Sequence, residues 1–166
     1  MIILKKLDVK IHVTNEYVEW MNDKTIHNFT EQKYLTTKRK DVSKYVTSKN
    51  NSKDEFLFGI FAKKNNKHIG NIKLGPVNKF HKRAEISYFI GSKEYLKKSY
   101  GYFAIQEIIK FAKKKGIKKL KAGCYSNNLP SVKVLMKNGF KLEGVLKSEI
   151  IYKKKRIDGL IFGKLI

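Results

Sequence analysis

The stretch Leu96-Lys97-Lys98-Ser99-Tyr100-Gly101-Tyr102 is a basic loop with one glycine, and it opens directly into a long amphipathic segment. At such a helix start several backbone N–H groups lack partners and the positive end of the helix dipole faces the same spot, so a pyrophosphate fits there. An ordinary strand-to-helix turn with solvated lysines would read the same way, because one glycine is a weak phosphate signal. Upstream, Glu85 stands in the otherwise apolar run Ala84 to Ile90. It is either a general base desolvated by burial or a surface partner of Lys82, Arg83 or a cross-strand lysine. Downstream come Asn127-Asn128-Leu129-Pro130-Ser131 and Lys137-Asn138-Gly139-Phe140. Asn128 can hold an amide-bearing ligand or a turn. Ser131 can present its hydroxyl to a leaving group or cap a short helix.

The elements that must position these residues follow from periodicity. Ile2 to Val9 and Lys10 to Val13 alternate as a bent strand, Thr14 caps a helix carrying Tyr17, Val18, Trp20 and Met21, and Asn22-Asp23 ends it. An irregular stretch with Ile26, Phe29 and Tyr34 leads to a helix from Lys38 to about Ser48. Strand runs at Glu55 to Ala62, His68 to Leu74 and Arg83 to Ile90, with Gly75-Pro76-Val77-Asn78 as a loop, form an antiparallel meander. A helix from Ser99 to Lys115 turns Ala104, Ile105, Ile108, Ile109 and Ala112 inward and stops at Gly116, a left-handed cap. Ile117 to Tyr125 is a strand, Pro130-Ser131 opens a short helix through Lys137, and Phe140 to Lys147 and Ile150 to Leu165 complete the sheet. The strand, helix, strand step from Arg83 to Lys121 requires one parallel pair in an otherwise antiparallel sheet.

This order of elements resembles the GNAT superfamily of acetyl-CoA-dependent N-acetyltransferases over nearly the whole chain, and within it the branch of the ribosomal-protein alanine acetyltransferases. Ala84 to Gly91 resembles the family's fourth strand. Asn128-Leu129-Pro130-Ser131 followed by Lys137 to Gly144 resembles its second cofactor-side motif. At the phosphate loop, Lys98 stands where the family carries Gln or Arg, Gly101 matches, and Phe103 stands where it carries a small residue. The resemblance implies an α/β (α+β) fold: a GNAT-like mixed, mostly antiparallel central sheet with a splayed parallel strand pair and helices on both faces. It implies acetyl-CoA held by Lys97, Lys98, Ser99, Tyr100, Gly101, Tyr102 and Phe103, by Asn128, and by backbone groups of Tyr88, Phe89, Ile90 and Gly91 that the splay leaves free. It makes Glu85 the base. The family's usual helix tyrosine is replaced by Leu135, so Ser131 becomes the acid or thiol-orienting group, with Tyr125 also in reach.

Such chemistry requires a base, since alkyl amines are protonated at neutral pH. It requires no nucleophile on the protein, because the acyl group arrives activated. None of His12, His27, His68 or His81 has metal-ligand spacing, so no metal is expected. The segment from Glu16 to Asp23 with the loop from Thr25 to Thr37 resembles family members that acetylate nucleotide-linked amino sugars. On that reading Trp20, Phe29 and Tyr34 stack on a base or sugar, though Trp20 also suits the core, and Lys33 and Lys38 neutralise a diphosphate. The alternatives are a protein N-terminus or another small amine as acceptor, or a domain that has lost activity and keeps coenzyme A.

At 166 residues and 42% hydrophobic content the chain makes one domain, residues 1–166. No run approaches the roughly 18 apolar residues of a membrane span, and the start is too short in apolar residues for a signal peptide, so the expected compartment is the cytoplasm. A lone Cys124 cannot form an internal disulfide and reads as a small core residue. The net charge is +23, but only Arg39, Arg83 and Arg156 supply the fork that favours phosphate and base edges, and the lysines are scattered. Nucleic acid is therefore not the expected partner; the charge suits polyanionic coenzyme A and disfavours polycationic acceptors. The final strands suit pairing of two subunits into a homodimer.

Overall fold

The computed structural model describes residues 1–166. Seven strands, β1 (Ile2–Lys6), β2 (Phe56–Ala62), β3 (Lys67–Asn78), β4 (Arg83–Ile90), β5 (Lys119–Tyr125), β6 (Lys141–Tyr152) and β7 (Lys155–Leu165), form one sheet in the order β1-β2-β3-β4-β5-β7-β6. Every neighbouring pair is antiparallel except β4 and β5. The helices are α1 (Val9–His12), α2 (Asn15–Asn22), α3 (Arg39–Asn51), α4 (Tyr100–Lys114) and α5 (Leu129–Lys137). No helix is long and apolar enough to cross a membrane.

The alternation of β4 sets the two faces. Ala84 and Ile86 point into a core with Ile72, Leu120 and the buried stripe of α4 (Ala104, Ile105, Ile108, Ile109, Ala112). On the other face Tyr17, Trp20, Val42 and Val46 from α2 and α3 pack on Leu57 and Phe61. Each fully buried Ile or Leu contributes about 1.5–3 kcal/mol. Gly116, at φ +73°, ends α4, and the Ile117 N–H reaches the Ala112 carbonyl across the turn at 3.1 Å.

Three sequence expectations are corrected. Lys10 to Val13 is not strand: the Asp8 carboxylate accepts from Lys10 N (2.8 Å) and Ile11 N (3.0 Å) and nucleates the single turn of α1. Gly75 to Asn78 is not a loop but the end of β3, where an added residue shifts the register between Leu74↔Ile86 and Val77↔Ala84. Likewise no turn separates Lys147 from Ile150; a second bulge lies there. The β6–β7 turn is instead at Lys153 and Lys154, whose φ values of 48° and 64° suit a type I′ hairpin.

His27 and His68 are buried or nearly so, and burial holds both imidazoles below the ordinary histidine range. His68 Nε2 lies 3.0 Å from the Gly70 carbonyl and 2.9 Å from Asn71 Oδ1, so that nitrogen carries the proton. Below about pH 6.5 the unfolded chain therefore binds more protons than the folded one. The stability these groups lend is complete above that pH and is lost as pH falls. Thermal melts should show Tm falling from about pH 7 to about pH 5, and His27→Gln should flatten that slope.

Candidate active site

The parallel pair is short. β4 and β5 are in register only at Arg83↔Lys119, Ala84↔Leu120 and Glu85↔Lys121, while β4 continues to Ile90 and β5 to Tyr125. Beyond Glu85 each strand keeps only its outer neighbour, β3 for β4 and β7 for β5. The facing edges diverge, and the alternate N–H and C=O groups of β4 that would have bonded β5 are left open.

α4 starts at this cleft. Lys97 (φ 58°) and Ser99 (φ 63°) both adopt the left-handed conformation, which folds the loop back tightly into the helix. Ser99 provides no side-chain cap, and Phe103 N is the first N–H to find a helical partner, Ser99 O at 3.2 Å. The N–H groups of Tyr100, Gly101 and Tyr102 thus have no backbone acceptor, and Lys97, Lys98 and Ser99 are exposed beside them. A Cβ at Gly101 would come within 2.9 Å of the Tyr88 ring, so glycine keeps the passage between helix and strand open. The Phe103 ring turns away, into the core around α4, and a large residue there leaves the loop accessible. This donor set fits a pyrophosphate, and the open edge of β4 fits an amide-bearing arm.

α5 borders the cleft as well. Asn128 caps it, accepting from Ser131 N at 3.3 Å, so capping belongs to Asn128 and the Ser131 hydroxyl is left for another partner. The Tyr88 hydroxyl lies near Ser131 and Cys124, and burial holds it above the ordinary phenol range. Leu135 is 1% exposed and belongs to the core. Cys124 is half-buried on the same side, packed against the core as expected.

Three expectations for the site are corrected. Glu85 is exposed, since the helices covering that face of β4 reach Phe89 but not Glu85, and it enters no ion pair. The buried base and the ion-paired surface residue both fail; what stands is a free carboxylate at the last paired position before the splay. Gly91 offers no free N–H, because it donates to Ile69 O at 2.8 Å, and its α-carbon faces the Trp20 indole. Trp20 is 6% exposed and serves the core. Phe89 and Ile90 remain on the open strand, one facing α2 and the other α4.

The face opposite α4 presents two features. A cavity of about 450 Å³ lies between α2, α3 and the sheet, lined by Tyr17, His27, Gln32, Asn71, Ser87 and Tyr88 among others. In it His27 Nε2 and Asn71 Nδ2 are buried without hydrogen-bond partners. Beside the cleft mouth, Phe29 stacks on Tyr152 (centroids 5.6 Å, 15°) and meets Tyr125 edge-on at 6.3 Å. Lys33 Nζ lies 5.0, 5.2 and 4.9 Å from the rings of Tyr34, Tyr125 and Tyr152. The structure thus brings Phe29 and Tyr34 together and adds Tyr125 and Tyr152. Of these Tyr152 went unread, because its partners are more than a hundred positions away: Asn28 Nδ2 reaches the Tyr152 hydroxyl at 3.0 Å. His27 and Asn71 went unread because the cavity they line forms only where the helices pack on the sheet. No group of His, Cys, Asp and Glu side chains is placed to hold a metal.

Comparison with known proteins gives three findings. Residues 2–141 match the family model described as an acetyltransferase (GNAT) domain. No curated protein sequence matches the chain. Among solved structures, the microcin self-immunity acetyltransferase MccE in complex with acetyl-CoA and AMP superposes with TM-score 0.84 at 22% identity, covering 99% of this chain and 92% of that one. RimL, a ribosomal alpha-N-protein acetyltransferase in complex with coenzyme A, superposes with TM-score 0.86 at 19% identity, covering 99% and 94%. Spermidine N-acetyltransferase from Vibrio cholerae in complex with CoA and spermine gives 0.84 at 17%, covering 99% and 95%. At these identities the likeness is one of fold.

Proposed function

The chain belongs to the acetyltransferase (GNAT) domain family, and on that premise we propose that it is an acetyl-CoA-dependent N-acetyltransferase whose acceptor is the primary amine of a nucleotide-linked amino sugar. The observation that carries the reading is the splay of β4 from β5 beside the unpaired N–H groups of Tyr100, Gly101 and Tyr102. Acetyl-CoA, when bound, supplies an acyl group already activated as a thioester. The α4 start holds its pyrophosphate, with Lys97 and Lys98 adding charge. The β4 edge takes the pantetheine amides as a sheet takes an added strand. Free N–H groups on that edge would donate to the carbonyl oxygen that gains charge during attack. MccE and RimL, of the same fold, hold acetyl-CoA and coenzyme A, which supports the donor.

For the acceptor, the supporting observation is the aromatic cluster at the cleft mouth. Phe29, Tyr34, Tyr125 and Tyr152 offer ring faces, and the ammonium groups of Lys33 and Lys153 lie 4.9 and 5.6 Å from Tyr152. Rings with cations suit a ligand that is both planar and anionic, such as a nucleoside diphosphate. MccE is seen with AMP. A chain of net charge +23 repels polyamines and basic peptides. The unpaired edge of β6, with Leu142, Val145, Leu146 and Ile151 exposed, suits a second copy of the chain.

Glu85, exposed at the origin of the splay, accepts the proton that the amine sheds. Glu85→Gln should lower kcat by about a hundredfold and leave acetyl-CoA affinity unchanged; a near-normal rate would remove Glu85 as the base. The deciding experiment is thiol release from acetyl-CoA against nucleotide-linked amino sugars, peptide N-termini and polyamines, with a binding titration alongside. Turnover on an amino sugar is expected. Turnover confined to spermine or peptides would replace the acceptor, and failure to bind acetyl-CoA would remove the reading.

A further inference from the structure

We propose that Tyr88 is a catalytic residue of this transfer: its phenol O–H protonates the sulfur as the acetyl group leaves it. The inference rests on acetyl-CoA being the donor. Tyr88 is the side chain at which the parts of the site converge. It lies on β4 three positions past the last β4–β5 pair, inside the splay. Its ring contacts the start of α4 so closely that Gly101 cannot carry a Cβ without meeting it at 2.9 Å. Its hydroxyl lies near Ser131 of α5 and Cys124 of β5.

The need for such a group is chemical. Attack on a thioester expels a thiolate, and a hydrogen-bond donor aimed at the sulfur lowers that barrier. On α5, Leu135 is buried in the core at 1% exposure and carries no donor. Ser131 alone is a poor proton source, since an aliphatic hydroxyl is far less acidic than a phenol. Burial keeps the Tyr88 phenol protonated through the neutral range. In the step, the amine nitrogen bonds to the acetyl carbon, the C–S bond breaks with its electron pair on sulfur, and the Tyr88 proton moves to that sulfur. The surplus proton on nitrogen passes to Glu85, and the phenolate regains its proton from solvent. Ser131 is a positioning residue, because it reaches the reaction through the Tyr88 hydroxyl.

The test compares wild type and Tyr88→Phe in binding and in rate. Both proteins are titrated with coenzyme A and with desulfo-coenzyme A, which lacks the sulfur. Wild type should prefer coenzyme A by about tenfold, as for a hydrogen bond to a charged group, with the preference growing as pH rises toward the thiol pKa near 8.5. Tyr88→Phe should bind desulfo-coenzyme A normally, showing an intact groove, and lose the preference. In turnover it should lose about a hundredfold in kcat with KM for acetyl-CoA unchanged, whereas Ser131→Ala should lose about tenfold. A Tyr88→Phe protein that still prefers coenzyme A, or that keeps a near-normal kcat, overturns the assignment. If neither form of the coenzyme binds to wild type, the donor itself is wrong and both readings fall.

Discussion

Gly101→Asp is expected to lower acetyl-CoA affinity on the order of a thousandfold while leaving Tm almost unchanged. The two effects separate because they act through opposite charges. A carboxylate in the first turn of α4 interacts well with the helix dipole, which offsets the strain of its Cβ against the Tyr88 ring. The same carboxylate faces the pocket formed by the N–H groups of Tyr100, Gly101 and Tyr102, where the pyrophosphate must sit. Two like charges about 4 Å apart at an effective dielectric near 20 cost about 4 kcal/mol, and each 1.4 kcal/mol is tenfold. Sterics add a smaller share, since the new Cβ comes within 2.9 Å of the Tyr88 ring. Gly101→Ala isolates that share and should cost about tenfold. Isothermal titration on both variants measures the difference. Equal affinity for Gly101→Asp and wild type would place the pyrophosphate elsewhere.

Gly70→Ala should be strongly destabilising. A Cβ at Gly70 would lie 2.3 Å from the Phe89 carbonyl oxygen and 2.9 Å from the Ile90 α-carbon. These are backbone atoms, held by the Gly70↔Ile90 and Asn71↔Phe89 pairs, and they cannot rotate aside as a side chain can. Relief requires β4 to move away from β3 at the segment that borders the cleft. A cost of roughly 3 kcal/mol, or roughly 10 °C in Tm for a chain of this length, is expected. Calorimetry checks it; a Tm within about 2 °C of wild type would mean the strands part easily there. Turnover measured well below the melting range should fall as well, since Tyr88 and Phe89 move with the strand.

Local signals carried most of the elements. Thr14 as a cap, the inward stripe of α4, the left-handed Gly116 and the parallel step from β4 to β5 are each written within a few residues, and each is found. Where two local signals competed, periodicity misled: Lys10 to Val13 alternates like a strand, yet the Asp8 carboxylate satisfies two N–H groups and wins a helical turn. For the site, strand parity placed Glu85 and Tyr88 on opposite faces, but parity does not say how far the covering helices extend. That is why a buried and a surface Glu85 stood as equal readings in the sequence, and the fold shows it exposed. The aromatic cluster was half legible. Phe29 and Tyr34 sit in a loop with no packing pattern of its own, whereas Tyr125 and Tyr152 reach them only through the final sheet order. The surroundings of Tyr88 were hidden because Gly101, Cys124 and Ser131 lie on three different elements.

The bulge near the end of β3 has a consequence for how this protein can change. Leu74 and Val77 are three positions apart and both pack toward α4, while their partners Ile86 and Ala84 are two apart. The added residue is a phase correction, confined to the part of the hairpin that leads to the exposed tip at Phe80. From Ile86 onward β4 takes its phase from Leu74 and the residues before it. Drift in the tip's sequence or length is thereby kept from exchanging Tyr88 with Phe89 across the sheet, and the hairpin end is free to diverge while the chemistry stays in place.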